Sequence, residues 1–128
     1  MGKKKVMVID DEEDFLQITE LNLEDTREYE VLSLVKGDEV VMHLHHFRPD
    51  IILLDMLMPS VGGLDVCKIL KGDPLGMKTP IIILSALEKD IDKREAFKLG
   101  VVDYLIKPIS KDDIIARIEK TLQQIQGE

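Results

Sequence analysis

A chain of 128 residues has room for one core of ordinary size and too little for two. Its 45% hydrophobic and 33% charged residues exclude a disordered chain. With 25 acidic against 17 basic residues, a net of -8, direct nonspecific binding to nucleic-acid phosphates is excluded too.

The elements alternate along the chain. Behind Lys3-Lys4-Lys5, the apolar run Val6-Met7-Val8-Ile9 suits a strand buried on both faces of a parallel sheet. It is too short for a signal peptide, and no later run reaches the length of a membrane helix. Asp10-Asp11-Glu12-Glu13 follows, acids suited to a helix N-terminus, with Phe15, Leu16, Ile18, Leu21 and Leu23 recurring at roughly helical spacing. Residues 29 to 35 make a less apolar, peripheral strand. Val40, Val41, Leu44 and Phe47 form a second helical stripe that Pro49 ends. Ile51-Ile52-Leu53-Leu54 is a third strand, and Leu64, Val66, Cys67, Ile69 and Leu70 a third helix ended by Gly72 and Pro74. Ile81-Ile82-Ile83-Leu84 is a fourth strand, and Ile91, Ala96, Phe97 and Leu99 a helix stopped by Gly100. A peripheral strand over 101 to 106 precedes the last helix, which Ser110 caps with Asp113 three residues on. Ile114, Ile115, Ile118, Leu122 and Ile125 form its apolar face.

This alternation, with no repeat or linker, predicts one α/β domain over residues 1–128: a three-layer α/β/α sandwich with right-handed crossovers. Ligands of such sheets sit outside the carboxyl ends of the strands. Those positions hold Asp10-Asp11, Asp55, Ser85 and Lys107-Pro108. Two ionised carboxylates 5 Å apart repel by roughly 3 kcal/mol at an effective dielectric of about 20, so three of them call for a counter-charge. Lys107 offers one unit. A divalent cation with a preference for hard oxygen ligands, magnesium above all, would offer two more. A carboxylate beside such charges is placed to attack phosphorus by positioning and neutralisation, with no general base.

At this point the sequence resembles the response-regulator receiver family of bacterial two-component signalling, from Lys5 to about Gln126. The resemblance rests on Asp10-Asp11, the segment Ile51-Ile52-Leu53-Leu54-Asp55-Met56-Leu57-Met58-Pro59, Ser85-Ala86, and Asp103-Tyr104-Leu105-Ile106-Lys107-Pro108. It implies a flavodoxin-like, doubly wound (βα)5 sheet of strand order 2-1-3-4-5, as in chemotaxis response regulators. It implies Asp55 as phosphoacceptor, with Asp55, Asp11 as a direct ligand, Asp10 acting partly through water, and the Leu57 carbonyl holding Mg2+. Ser85 and Lys107 would contact phosphoryl oxygens, Tyr104 would rotate inward as Ser85 moves, and Lys107-Pro108 would be a cis peptide bond. The implied partners are a sensor histidine kinase or phosphotransfer protein and a downstream protein or output domain, in a phosphorelay. The face formed by the fourth helix, fifth strand and fifth helix would switch, and would allow dimerisation on phosphorylation. Neither nucleic acid nor membrane is an expected partner of this domain, and the domain acts as a phosphoacceptor rather than an enzyme on other substrates. One departure is Gly62-Gly63, where the family usually has an acid before the second glycine. Bulky Leu57 and Leu87, two residues beyond Asp55 and Ser85, imply slow self-dephosphorylation.

Two other functions suit the architecture less well. A magnesium-dependent aspartyl-phosphate phosphatase would want an acid where Leu57 stands. A flavodoxin-like cofactor binder would want a hydroxyl- and glycine-rich loop where Asp10-Asp11-Glu12-Glu13 stands. His43, His45 and His46 are read as a solvated helix face, because no nearby acid or thiol completes a metal set. Cys67 is read as a buried thiol, and as the one cysteine it forms no intramolecular disulfide, which fits a reducing cytoplasm.

Overall fold

Five short segments, three of them carrying unbroken apolar runs, pair side by side in a computed structural model, which describes residues 2–56, 58, 62–86 and 90–126. They are β1 (Lys4–Ile9), β2 (Tyr29–Leu34), β3 (Ile51–Asp55), β4 (Ile81–Ser85) and β5 (Asp103–Ile106). All four pairings are parallel, in the order β2-β1-β3-β4-β5, the expected one. Side chains alternate across the strands and so build two cores. Met7, Ile9, Ile52, Leu54, Ile81 and Ile83 face one way. Val6, Val8, Ile51, Leu53, Ile82 and Leu84 face the other. That double burial is why β3 and β4 read as unbroken apolar runs.

Helices cover both faces. Helix α1 (Glu13–Asp25) and the last helix, α6 (Lys111–Gln126), pack on the Val6 side through Leu16, Leu23, Ile114 and Ile118. Helices α2 (Val40–Phe47), α3 (Gly63–Lys71) and α5 (Asp90–Lys98) cover the other side through Leu44, Val66, Leu70 and Ala96. Ser110 accepts the Asp113 N–H at 3.1 Å, the cap read from the sequence. In α1, Leu16, Thr19 and Leu23 are buried, whereas Ile18 and Leu21, counted on the apolar stripe, are 59% and 70% exposed. At 3.6 residues per turn they fall on the opposite side of the helix from Leu16 and Leu23.

Pro74 proves to be more than a stop. It opens an additional helix, α4 (Pro74–Lys78), where its fixed φ and missing N–H suit the first position. The Asp73 carboxylate caps it by accepting from the Leu75 and Gly76 N–H groups. Gly76 admits no larger residue, since a Cβ there would overlap the Leu70 carbonyl oxygen. Lys71 Nζ donates to the carbonyls of Gly76 and Thr79 at 3.3 and 2.9 Å. His45 Nε2 lies 2.8 Å from Asp73 Oδ2, tying α2 to α4. One of the three histidines read as solvated therefore has an acidic partner, supplied from 28 residues away. The His45 hydrogen bond, against opposing desolvation and with help from the two capping N–H groups, holds Asp73 below the usual carboxylate range. Cys67 is buried, and burial pushes its thiol up despite Lys71. Among the described residues no helix is long and apolar enough to cross a membrane.

Candidate functional site

Parallel pairing brings every strand's carboxyl end to one edge. Ile9 pairs with Leu54, so Asp10 emerges level with Asp55. Asp55 pairs with Leu84, and Leu84 with Leu105. Lys107 therefore stands two residues past that level, roughly 6–7 Å further along. A short side chain could not reach back over that distance, but a lysine stem can. Backbone bonds hold the stagger: Lys107 N–H donates to the Ser85 carbonyl at 2.8 Å and Met56 N–H to the Leu84 carbonyl at 3.2 Å. The Lys107-Pro108 peptide is cis, as the resemblance implied.

The side chains converge. Asp10, Asp11 and Asp55 each place a carboxylate oxygen within 4.8 Å of the others. Asp10 and Asp55 are buried and Asp11 is exposed. Lys107 Nζ lies 2.7 Å from Asp10 Oδ2, 3.1 Å from Glu12 Oε1 and 3.9 Å from Asp55 Oδ1. It also sits 4.3 Å from the centroid of the Phe15 ring, a cation–π distance. Burial tends to lower the Lys107 ammonium, but the Asp10 and Glu12 hydrogen bonds overcome it and hold the group above its ordinary value. The second Asp10 oxygen accepts the Glu12 N–H at 2.9 Å, fixing that carboxylate at the start of α1.

Ser85 ends β4, fully buried, one register step beyond the partner of Asp55. Tyr104 pairs with Ile83 inside β5, and its ring is buried in the core with Ala96 and Val101, the Lys93 ammonium 5.8 Å from its centroid. Leu57, Pro59 and Leu87 lie outside the described residues. Gly63 lies bare against the end of β3. Its N–H donates to the Met56 carbonyl at 2.9 Å, and a Cβ there would stand 2.5 Å from the Asp55 carbonyl oxygen. At Gly62, the departure from the family pattern, an added Cβ would meet Asp65 Oδ2 at 3.9 Å, an ordinary contact among the described residues.

Three residues of the site were not assigned from the sequence. Glu12 reads as helix-terminal charge and Phe15 as part of an apolar stripe; no spacing announces that Lys107, some 95 positions away, will meet both. Gly63 reads as half of a glycine pair, and only the packing of α3 on β3 shows the need for it.

Three carboxylates and one ammonium leave the edge with excess negative charge. The donor set is hard oxygen throughout, which fits a divalent cation such as Mg2+ and offers nothing to a soft metal.

The sequence and the fold have counterparts among known proteins. The model of the response regulator receiver domain family matches residues 6–119. The chain is 35% identical over 121 residues to the alkaline phosphatase synthesis transcriptional regulatory protein PhoP of Bacillus subtilis, covering 94% of this chain and 49% of that protein. It is 32% identical over 124 residues to the phosphate regulon transcriptional regulatory protein PhoB of Rhizobium meliloti, covering 97% and 54%. The chain thus spans about half the length of these curated relatives. The solved receiver domain of the Francisella response regulator 1452 superposes with a TM-score of 0.85 at 32% identity, covering 96% of this chain and 99% of that one.

Proposed function

The chain belongs to the response regulator receiver domain family, and on that premise we propose that residues 1–128 act as one receiver unit that takes a phosphoryl group on Asp55 and passes the state on as a change of surface. The donor is a sensor histidine kinase or phosphotransfer protein in the cytoplasm. The recipient of the signal is a downstream protein or an output domain, and this unit itself does not touch nucleic acid. The observation that carries the reading is the Asp10, Asp11 and Asp55 cluster with Lys107 Nζ 3.9 Å from Asp55 Oδ1.

The chemistry follows from charge. An ionised Asp55 oxygen attacks phosphorus in line, forming the new P–O bond as the bond to the donor's leaving group breaks and that group keeps the electron pair. No base is needed, because the nucleophile carries no proton. Mg2+, held by Asp10, Asp11, Asp55 and the Leu57 carbonyl, would supply positive charge to the transferring oxygens. Lys107 pairs with one phosphoryl oxygen and the Ser85 hydroxyl donates to another. Tyr104 responds to Ser85, and the face made by α5, β5 and α6 changes its affinity for a partner, a second copy included. On that face Phe97 and Val102 are each 48% exposed, which suits a contact surface. A few kcal/mol of differential contact is enough to bias such a two-state element.

The test is labelling with acetyl phosphate. The parent should gain one phosphoryl group only when Mg2+ is present, and Asp55→Asn should gain none; a label persisting elsewhere overturns the site. Slow loss of the label, expected from Leu57 and Leu87, is checked against the Leu57→Asn, Leu87→Ala variant, which should lose it faster.

A further inference from the structure

The ammonium of Lys107 is held away from the position its role demands. It has three N–H donors, and two hydrogen-bond distances are taken by Asp10 at 2.7 Å and Glu12 at 3.1 Å. Asp55 at 3.9 Å is an ion pair without a hydrogen bond. The Phe15 face, 4.3 Å from Nζ, flanks the same ammonium. A third N–H is left for a phosphoryl oxygen on Asp55, but drawing Nζ in from 3.9 Å stretches the two bonds it already makes, and the partner that can move yields first. Asp10 is 1% exposed and pinned through its other oxygen by the Glu12 N–H. The Glu12 side chain is 65% exposed and can turn into water at little cost.

We propose that Glu12 is a positioning residue that acts through Lys107: it parks the ammonium at the pocket rim in the unphosphorylated protein and is exchanged for a phosphoryl oxygen when Asp55 is modified. Glu12 thereby weakens the pocket's hold on the phosphoryl anion, by competing for Lys107 and by its own negative charge. This rests on the reading of Asp55 as acceptor. No bond is made or broken at Glu12; it changes only which anion the ammonium faces.

An exposed ion pair contributes little, so the expected effect is a roughly two- to fivefold change in anion affinity. The experiment titrates the whole chain with beryllofluoride, a phosphoryl mimic, in the presence of Mg2+, following the backbone amide signals of Ser85 and Lys107. Parent, Glu12→Gln and Glu13→Gln are compared at low and high salt. Glu13 is the next acid along and carries the same charge change. The expected result is tighter anion binding in Glu12→Gln only, with the difference shrinking at high salt and no matching gain in Mg2+ affinity. A variant merely loosened in structure would bind both ions less well, and that outcome overturns the proposal. So does an equal effect from Glu13→Gln, or none from Glu12→Gln. If the parent itself fails to bind beryllofluoride, the acceptor reading falls, and this inference with it.

Discussion

Replacing Asp55 by Asn should make the metal-free protein more stable while abolishing its proposed activity. Asp55 places an oxygen within 4.8 Å of both Asp10 and Asp11, and its Oδ1 is 3.9 Å from Lys107 Nζ. At an effective dielectric of about 20, each repulsion costs roughly 3.5 kcal/mol and the attraction returns roughly 4. Removing the charge thus relieves two repulsions at the loss of one attraction, a gain of about 3 kcal/mol. Asp11 is exposed and its share is screened, so a gain of about 1–3 kcal/mol is expected. Urea unfolding in EDTA, with parent and Asp55→Asn side by side, measures it as a shift of midpoint at unchanged slope. Saturating Mg2+ should then stabilise the parent more than the variant, which lacks one ligand, and narrow or reverse the gap. An Asp55→Asn protein no more stable than the parent in EDTA would refute the claim that the cluster carries uncompensated charge. Equal stabilisation of both by Mg2+ would refute the assignment of Asp55 to the metal.

Gly63→Ala puts a Cβ 2.5 Å from the Asp55 carbonyl oxygen and 2.6 Å from Met56 Cα, atoms of backbone that cannot swing aside. It should cost roughly 1–3 kcal/mol in unfolding measurements and slow acetyl-phosphate labelling well beyond that loss, because the acceptor itself is displaced. His45→Ala should let Asp73 titrate higher, toward the ordinary carboxylate range, in carbonyl-detected NMR; an unmoved Asp73 would show the contact to be incidental. Burial, aided by Glu119 and Glu28, pushes the Tyr29 phenol up to about 12 from an ordinary 10.0. Its proton is kept on folding, so that stabilisation is complete below the unfolded value and lost as pH climbs through the folded one. Unfolding free energy should fall between about pH 10 and pH 12 by roughly 2–3 kcal/mol more in the parent than in Tyr29→Phe.

Much of this was legible from local pattern. Strands buried on both faces write themselves as unbroken apolar runs, so β1, β3 and β4 could be read directly, and with them Asp10, Asp55 and Ser85 at their ends. The β–α alternation then forces parallel pairing, which carries those ends to one edge. Ser110 announced its helix because a cap is a local hydrogen bond. The helix α4 was not legible. Pro74 stops one helix and starts another with the same local chemistry, and the choice was made by Gly76 against Leu70 and by Asp73 meeting His45.

The limit has a physical cause. A sequence prescribes what each short segment prefers, and from the order of segments it determined the sheet, the edge and the residue types at that edge. It does not prescribe which side chains, brought level by register, come within 4 Å of one another, because those contacts depend on the stagger of strands and the seating of helices. Tertiary structure alone decided that Lys107 reaches back two residues, that it meets Glu12 and Phe15 as well as Asp10, and that Gly63 must lie bare against the strand that ends in Asp55.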